Sequence, residues 1–152
     1  MFLWIQPKLC NGCRLCEVFC SYRAQGSIWP EEACITVTEH AAERRFAPFT
    51  CLQCQKPTCA QVCPVEAIAR HESTGALVVD QDLCLGCRLC VQRCPFGGIT
   101  FSTRLGRVAK CDLCGGHPEC ARICPTSAIQ YVTGEKLRQD RRHAATKTGG
   151  GN

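Results

Sequence analysis

Between residues 84 and 95, four cysteines, Cys84, Cys87, Cys90 and Cys94, stand in the spacing C-x2-C-x2-C-x3-C, and Pro95 follows directly. A run of this form ligates cubane iron–sulfur clusters. Three thiolates two residues apart can reach three corners of one cubane, because a short loop curling around it aims each side chain inward. The fourth cannot easily join them. Cys90 and Cys94 stand at i and i+4, on one helix face and about 6 Å apart along its axis, so Cys94 reaches a second cluster at the helix's far end. One run therefore calls for a partner run.

Partners are present. Cys10, Cys13, Cys16 and Cys20 repeat the spacing without the proline, since Ser21 follows. Cys51, Cys54, Cys59 and Cys63, with Pro64, widen the interval before the third cysteine to four residues, and Cys111, Cys114, Cys120 and Cys124, with Pro125, widen it to five. A proline after the last ligand disfavours helix at that cysteine and turns the chain away. Ile68, Ile99 and Ile129 follow at equal distance, placed to cover a cluster or simply to fill the core. Zinc knuckles also use C-x2-C pairs, but they need neither a third cysteine two residues on nor a fourth followed by proline. Thiol redox catalysis is excluded on similar grounds, because every C-x2-C pair already belongs to a quartet. Cys34 alone stands outside them, as a small apolar residue of the interior or as an extra ligand or reactive thiol.

With 17 cysteines in 152 residues, a disulfide scaffold is the general alternative. It would need an oxidising compartment and usually a signal peptide. The apolar start, residues 2–5, has no basic flank and no cleavage site, and no apolar run approaches the ~20 residues that span a bilayer; a soluble, cytoplasmic protein is expected. The formal charge of +5 invites a nucleic-acid reading, yet it counts the cysteines as neutral. Each cubane with four thiolates carries roughly −2 when oxidised, which would bring the loaded chain to about −3. The basic residues then serve as counter-charge, and no nucleic acid is expected as a partner.

Residues 2–5 read as a strand, and a helix from about Cys16 should outrun its counterparts for want of a stopping proline. Within an insertion, residues 21–49, the β-branched run 35–38 reads as a strand, with Gly26, Pro30 and Pro48 marking loops. Hairpins are expected from 69–71 against 76–79, turning at Gly75, and from 99–102 against 107–109, turning at Gly106; a last strand runs to Val132. Gly12 and Gly86 hold equivalent loop positions, where positive φ brings backbone amides toward inorganic sulfide. His40, His71, His117 and His143 form no spaced pair. From Gly134 on the chain is a polar, basic tail.

The region from Cys10 to Val132, about four-fifths of the chain, resembles the four-cluster ferredoxin-like electron-transfer subunits of bacterial redox complexes: those of formate hydrogenlyase, formate dehydrogenases, DMSO reductase, and the small subunits beside carbon monoxide dehydrogenases and tungsten aldehyde oxidoreductases. The resemblance lies in the first quartet without proline, the wider second, and the segment 110–114 opening a loose fourth. It implies an α+β fold of two nested bacterial-ferredoxin-like modules with short helices, hairpins and four 4Fe-4S clusters. Residues 1–133 would form one polyferredoxin domain: module A from 1–33 plus 110–133, module B from 50–109, an insertion at 21–49, and a tail at 134–152.

By the same resemblance Cys10, Cys13 and Cys16 share cluster a with Cys124, and Cys111, Cys114 and Cys120 share cluster b with Cys20. Cys51, Cys54 and Cys59 share cluster c with Cys94, and Cys84, Cys87 and Cys90 share cluster d with Cys63. No catalytic residue and no 3Fe-4S centre is expected, and residues 2–5 should lie beside 129–132. The implied function is a non-catalytic subunit passing electrons singly between a larger catalytic subunit, a tungsten or molybdenum aldehyde or formate oxidoreductase, and another redox partner. Alternatives are a freestanding polyferredoxin and a subunit of a hydrogenase or carbon monoxide dehydrogenase complex. Head-to-tail assembly of copies is a further expectation, with the tail docking on a neighbour. A sensor or nucleic-acid-binding protein is disfavoured by four saturated quartets.

Overall fold

A computed structural model describes residues 1–136, 138 and 139; most of the tail expected from Gly134 lies outside the described residues. Strands paired in two-stranded antiparallel sheets alternate with α-helices over residues 2–132: β1 (Phe2–Ile5), α1 (Leu15–Gln25), β2 (Ile35–His40), β3 (Arg45–Thr50), α2 (Thr58–Gln61), β4 (Ile68–Arg70), β5 (Leu77–Val79), α3 (Leu89–Arg93), β6 (Ile99–Ser102), β7 (Arg107–Lys110), α4 (Glu119–Arg122) and β8 (Ile129–Val132). This is the mixed architecture of small helices and strands that the sequence leads one to expect.

Three of the sheets are hairpins of neighbouring strands; the fourth joins the ends of the described fold. β1 pairs with β8, Phe2 opposite Val132 and Ile5 opposite Ile129, and the amide of Gln6 extends the ladder to the carbonyl of Ala128 at 2.7 Å. β4 and β5 are set one residue off the expected limits, with Ile68 opposite Val79, and β6 pairs with β7 around the turn at Gly106.

The insertion departs from expectation. Pro48, read as a loop marker, lies inside β3 opposite Val37 of β2. The reason is the pattern of the antiparallel ladder, in which alternate residue pairs turn their N–H groups away from the partner strand. Val37 is of this kind, since its amide donates 2.7 Å to Oε1 of Glu17 on α1. At its partner position a proline gives up no ladder bond.

α1 runs for 11 residues against four or five in α2, α3 and α4. Ser21, where the other quartets carry proline, is fully buried. Its hydroxyl donates to the carbonyl of Val18 at 2.9 Å and accepts the amide of Trp29 at 3.2 Å, so it fastens the returning chain to the helix. The turn at Pro30–Glu32 then meets the β6–β7 hairpin, where Glu32 accepts from Ser102 at 2.7 Å and pairs with Arg104 at 3.2 Å.

Apolar burial falls into two clusters. One gathers Cys59, Ile68, Leu77, Cys90, Ile99 and Val108 around α2, α3 and their hairpins. The other gathers Cys16, Ile35, Val37, Cys120 and Ile129 around α1, α4 and the β1–β8 pair. Second- and third-quartet cysteines thus share one core, and first- and fourth-quartet cysteines the other.

Candidate metal centres

Each quartet opens with a loop whose third position lies in the left-handed region: Gly12 at φ 75°, Gln53 at 52°, Gly86 at 65° and Leu113 at 57°. Glycine adopts this without cost, and the two other residues hold it under strain of ~1 kcal/mol or more. A second recurrent left-handed residue follows each Cys-Pro pair, at Glu66, Gly97 and Ser127. These turns aim amides at sulfur. The N–H of Gln53 donates to Sγ of Cys51 at 3.4 Å, and that of Ala67 to Sγ of Cys63 at 3.3 Å.

Three cavities are ringed by cysteine. Cys51, Cys54 and Cys59 line one together with Cys94, closed by Pro57, Leu77, Phe96 and Ile99. Cys84, Cys87 and Cys90 line a second together with Cys63, closed by Val65, Ile68, Val79 and Val108. A third, of about 330 Å³, is lined by Cys111, Cys114 and Cys120 with Cys20 and Cys34. In each, three thiols of one quartet meet the last thiol of another. The isoleucines after the Cys-Pro pairs line two of these walls, as water-excluding cover. Cys10, Cys16 and Cys124 pack into the core around α1 and α4, while Cys13 is exposed.

Burial is the largest influence on the ionisation of these thiols. Burial, then the charges of Glu17, Cys10 and Cys13, pushes the Cys16 thiol up to about 12 against an opposing amide bond. Burial pushes Cys111 up to about 11, partly offset by the amide of Leu113 and the hydroxyl of Thr50. Cys120 is raised by burial and by Cys111, Cys20, Cys114 and Cys16. Cys59 is raised by burial, opposed by Lys110, and Cys90 likewise by burial, opposed by the amide of Val91. Cys124 is lowered: burial acts upward, but the amides of Ile129, Thr126 and Ala128 and the Thr126 hydroxyl outweigh it. Thiols crowded and desolvated in this way hold their protons until a cation replaces them.

Cys34 is only half-buried. It stands beside Cys20, its amide donating to Sγ of Cys20 at 3.3 Å and its carbonyl accepting the Thr50 hydroxyl at 2.6 Å. A hydrogen bond from Cys34 lowers the Cys20 thiol and correspondingly raises that of Cys34. His40, His71 and His117 are exposed, and His143 lies outside the described residues.

The donor set fits an iron–sulfur cubane. Two cavities carry four thiols and the third five, with apolar walls and amide donors at Cys20, Cys51 and Cys63, the soft all-sulfur donor set that iron–sulfur clusters take. Fold and site together define an iron–sulfur protein. A family described as a 4Fe-4S dicluster domain matches residues 42–134, and this protein belongs to it.

Three curated relatives illustrate the range. The aliphatic sulfonate oxidoreductase polyferredoxin-like subunit of Pyrococcus furiosus is 42% identical over 137 residues, 88% of this chain and 79% of that protein. The NADH-dependent phenylglyoxylate dehydrogenase subunit beta of Aromatoleum evansii is 35% identical over 129 residues, 84% of this chain but 29% of that protein. The B subunit of the anaerobic dimethyl sulfoxide reductase of Escherichia coli is 30% identical over 156 aligned residues, 90% of this chain and 75% of that protein. The chain is a 4Fe-4S electron-transfer subunit of the kind found in such oxidoreductases, and not itself the catalytic one. Among the described residues no helix is long and apolar enough to cross a membrane.

Proposed function

We propose that the chain is a four-cluster electron wire ordered a, b, c, d, with two nested modules and the ligand sets that the resemblance implies. The observation that carries it is the make-up of the three cavities, each joining three thiols of one quartet to the last thiol of its partner. Cluster a has Cys10, Cys13 and Cys16 with Cys124, whose quartet shares the other core.

The order follows from what joins neighbouring sites. α1 carries Cys16 and Cys20, linking a to b, and α3 with its end carries Cys90 and Cys94, linking d to c. Clusters held at i and i+4 lie roughly 10 Å apart once the thiolate arms are added. Between b and c, Gln53 donates 2.8 Å to the carbonyl of Cys111 and accepts the amide of Leu77 at 2.8 Å. The two outer sites hold the exposed cysteines, Cys13 and Cys87. Leu85, 70% exposed, flanks Cys87, and Leu9 and Leu15 flank Cys13, giving each end an apolar rim for a redox partner.

The partner is a larger catalytic subunit, read as a tungsten or molybdenum oxidoreductase acting on an aldehyde or formate. Names of relatives such as the sulfonate oxidoreductase subunit and the dimethyl sulfoxide reductase B subunit support a catalytic partner. With two such ends, copies can also meet head to tail in a ring or filament. The test is iron and sulfide analysis of anaerobically prepared protein, expected to give about sixteen irons per chain in cubanes, with native purification to identify what accompanies it. Zinc in place of iron, or an isolated monomer in extracts, would overturn the respective part.

A further inference from the structure

Lys110 ends β7, immediately before Cys111, and is buried, with 9% of its surface exposed. A buried lysine is held by what surrounds its ammonium. Here Nζ donates to the carbonyl of Leu77 at 2.9 Å, lies 3.0 Å from Sγ of Cys51, and reaches Oε1 of Gln53 at 3.5 Å. The fold thus brings a full positive charge onto a sulfur of the cavity formed by Cys51, Cys54, Cys59 and Cys94, while the backbone of Lys110 leads into the neighbouring site at Cys111. In contrast, the amides that meet Cys20, Cys63 and Cys51 bring only partial charges. Lys56 also lines the Cys51 cavity, but it is exposed and water and salt screen it.

We propose that Lys110 is a positioning and tuning residue: acting through Cys51, its ammonium raises the reduction potential of cluster c, an inner step of the wire, above what the four thiolates alone would give. When one electron enters this cluster no bond forms or breaks, and the site gains one negative charge. A fixed cation 3.0 Å from a ligand sulfur, on a side chain with only 9% of its surface exposed, stabilises the reduced form more than the oxidised one. Cluster c then becomes a resting place for the electron between b and d. The proposal rests on Cys51 being a cluster ligand.

The test is an EPR-monitored redox titration of the intact protein as wild type, Lys110→Met, Lys110→Gln and Lys56→Met. Met removes charge and donor, while Gln keeps a donor and removes only the charge. In both Lys110 variants one of the four potentials is expected to fall by at least a tenfold change in its reduction equilibrium, about 59 mV for one electron. The other three should hold, and Lys56→Met should shift the same potential less. Unmoved potentials, a uniform shift of all four, or a fall in Met that Gln reverses would overturn the charge argument. So would loss of iron from both Lys110 variants, which would make the residue one required for assembly. The ligand reading fails separately, if Cys51→Ser leaves all four wild-type signals unchanged.

Discussion

Gly98 shows how tightly one residue can be held by a cluster loop. A Cβ there would stand 2.8 Å from Cα of Cys51 and 3.3 Å from its backbone nitrogen, and backbone cannot swing aside as a side-chain tip can. Gly98→Ala is expected to cost ~1–3 kcal/mol by overpacking and to displace Cys51, so that iron analysis reads about four irons fewer. The neighbouring Gly97→Ala meets open space and carries only the strain of a φ of 67°, so it should keep its iron. Glu17 makes the opposite case. Its carboxylate, 4% exposed, accepts the Val37 amide and pairs with Arg14 at 3.3 Å. In Glu17→Leu the Val37 N–H loses its acceptor in the interior, a cost of ~1–3 kcal/mol, to be read in anaerobic denaturant unfolding; an unchanged midpoint would refute it. Neither residue announces itself in the sequence. Glu17 sits among helix residues that could as well face water, and Gly98 is one of two adjacent glycines that nothing in the sequence sets apart from Gly97.

At the scale of elements, much was legible because cysteine spacing and turn residues act locally. The strand at 2–5, the longer α1, both hairpins and the last strand follow from such cues. What escaped depends on contacts between distant segments: the left-handed turns at Gln53 and Leu113 carry no glycine to mark them, and β3 hides behind Pro48, allowed only because Val37 turns its amide to Glu17. The length of α1 has a testable consequence. Cys16 and Cys20 lie one turn apart, and Cys20 faces the cavity of Cys111, Cys114 and Cys120. Cys20→Ala should therefore alter the EPR signal of the cluster held by those three and leave that of Cys10, Cys13 and Cys16 intact. The reverse pattern would break the nested arrangement.

The whole molecule has little to hold it together apart from the metal. Among the described residues the sheets are two-stranded, a size that is marginal in water by itself, and α2, α3 and α4 each span a single turn or little more. Each apolar core includes cysteines as members: Cys59 and Cys90 in one, Cys16 and Cys120 in the other. These cysteines line cavities rather than packing fully against one another, so the apolar contact they make on their own is limited. Ion pairs add one long-range tie, Arg104–Glu32 at 3.2 Å, while Arg14–Glu17 and Arg122–Glu119 are local pairs whose arginines are well exposed and contribute little. In the proposed ligand sets one cluster ties segments as remote as Cys20 and Cys111 into one unit, so its binding free energy would be folding free energy. Stripping iron with a chelator under reducing, anaerobic conditions is thus expected to collapse the near-UV circular dichroism and to bring amide exchange in β1 and β8 to unprotected rates, with recovery when iron and sulfide are restored. An apoprotein that kept β1–β8 protected would show that the strands and cores suffice, and would sink the view that the clusters are the core of this fold.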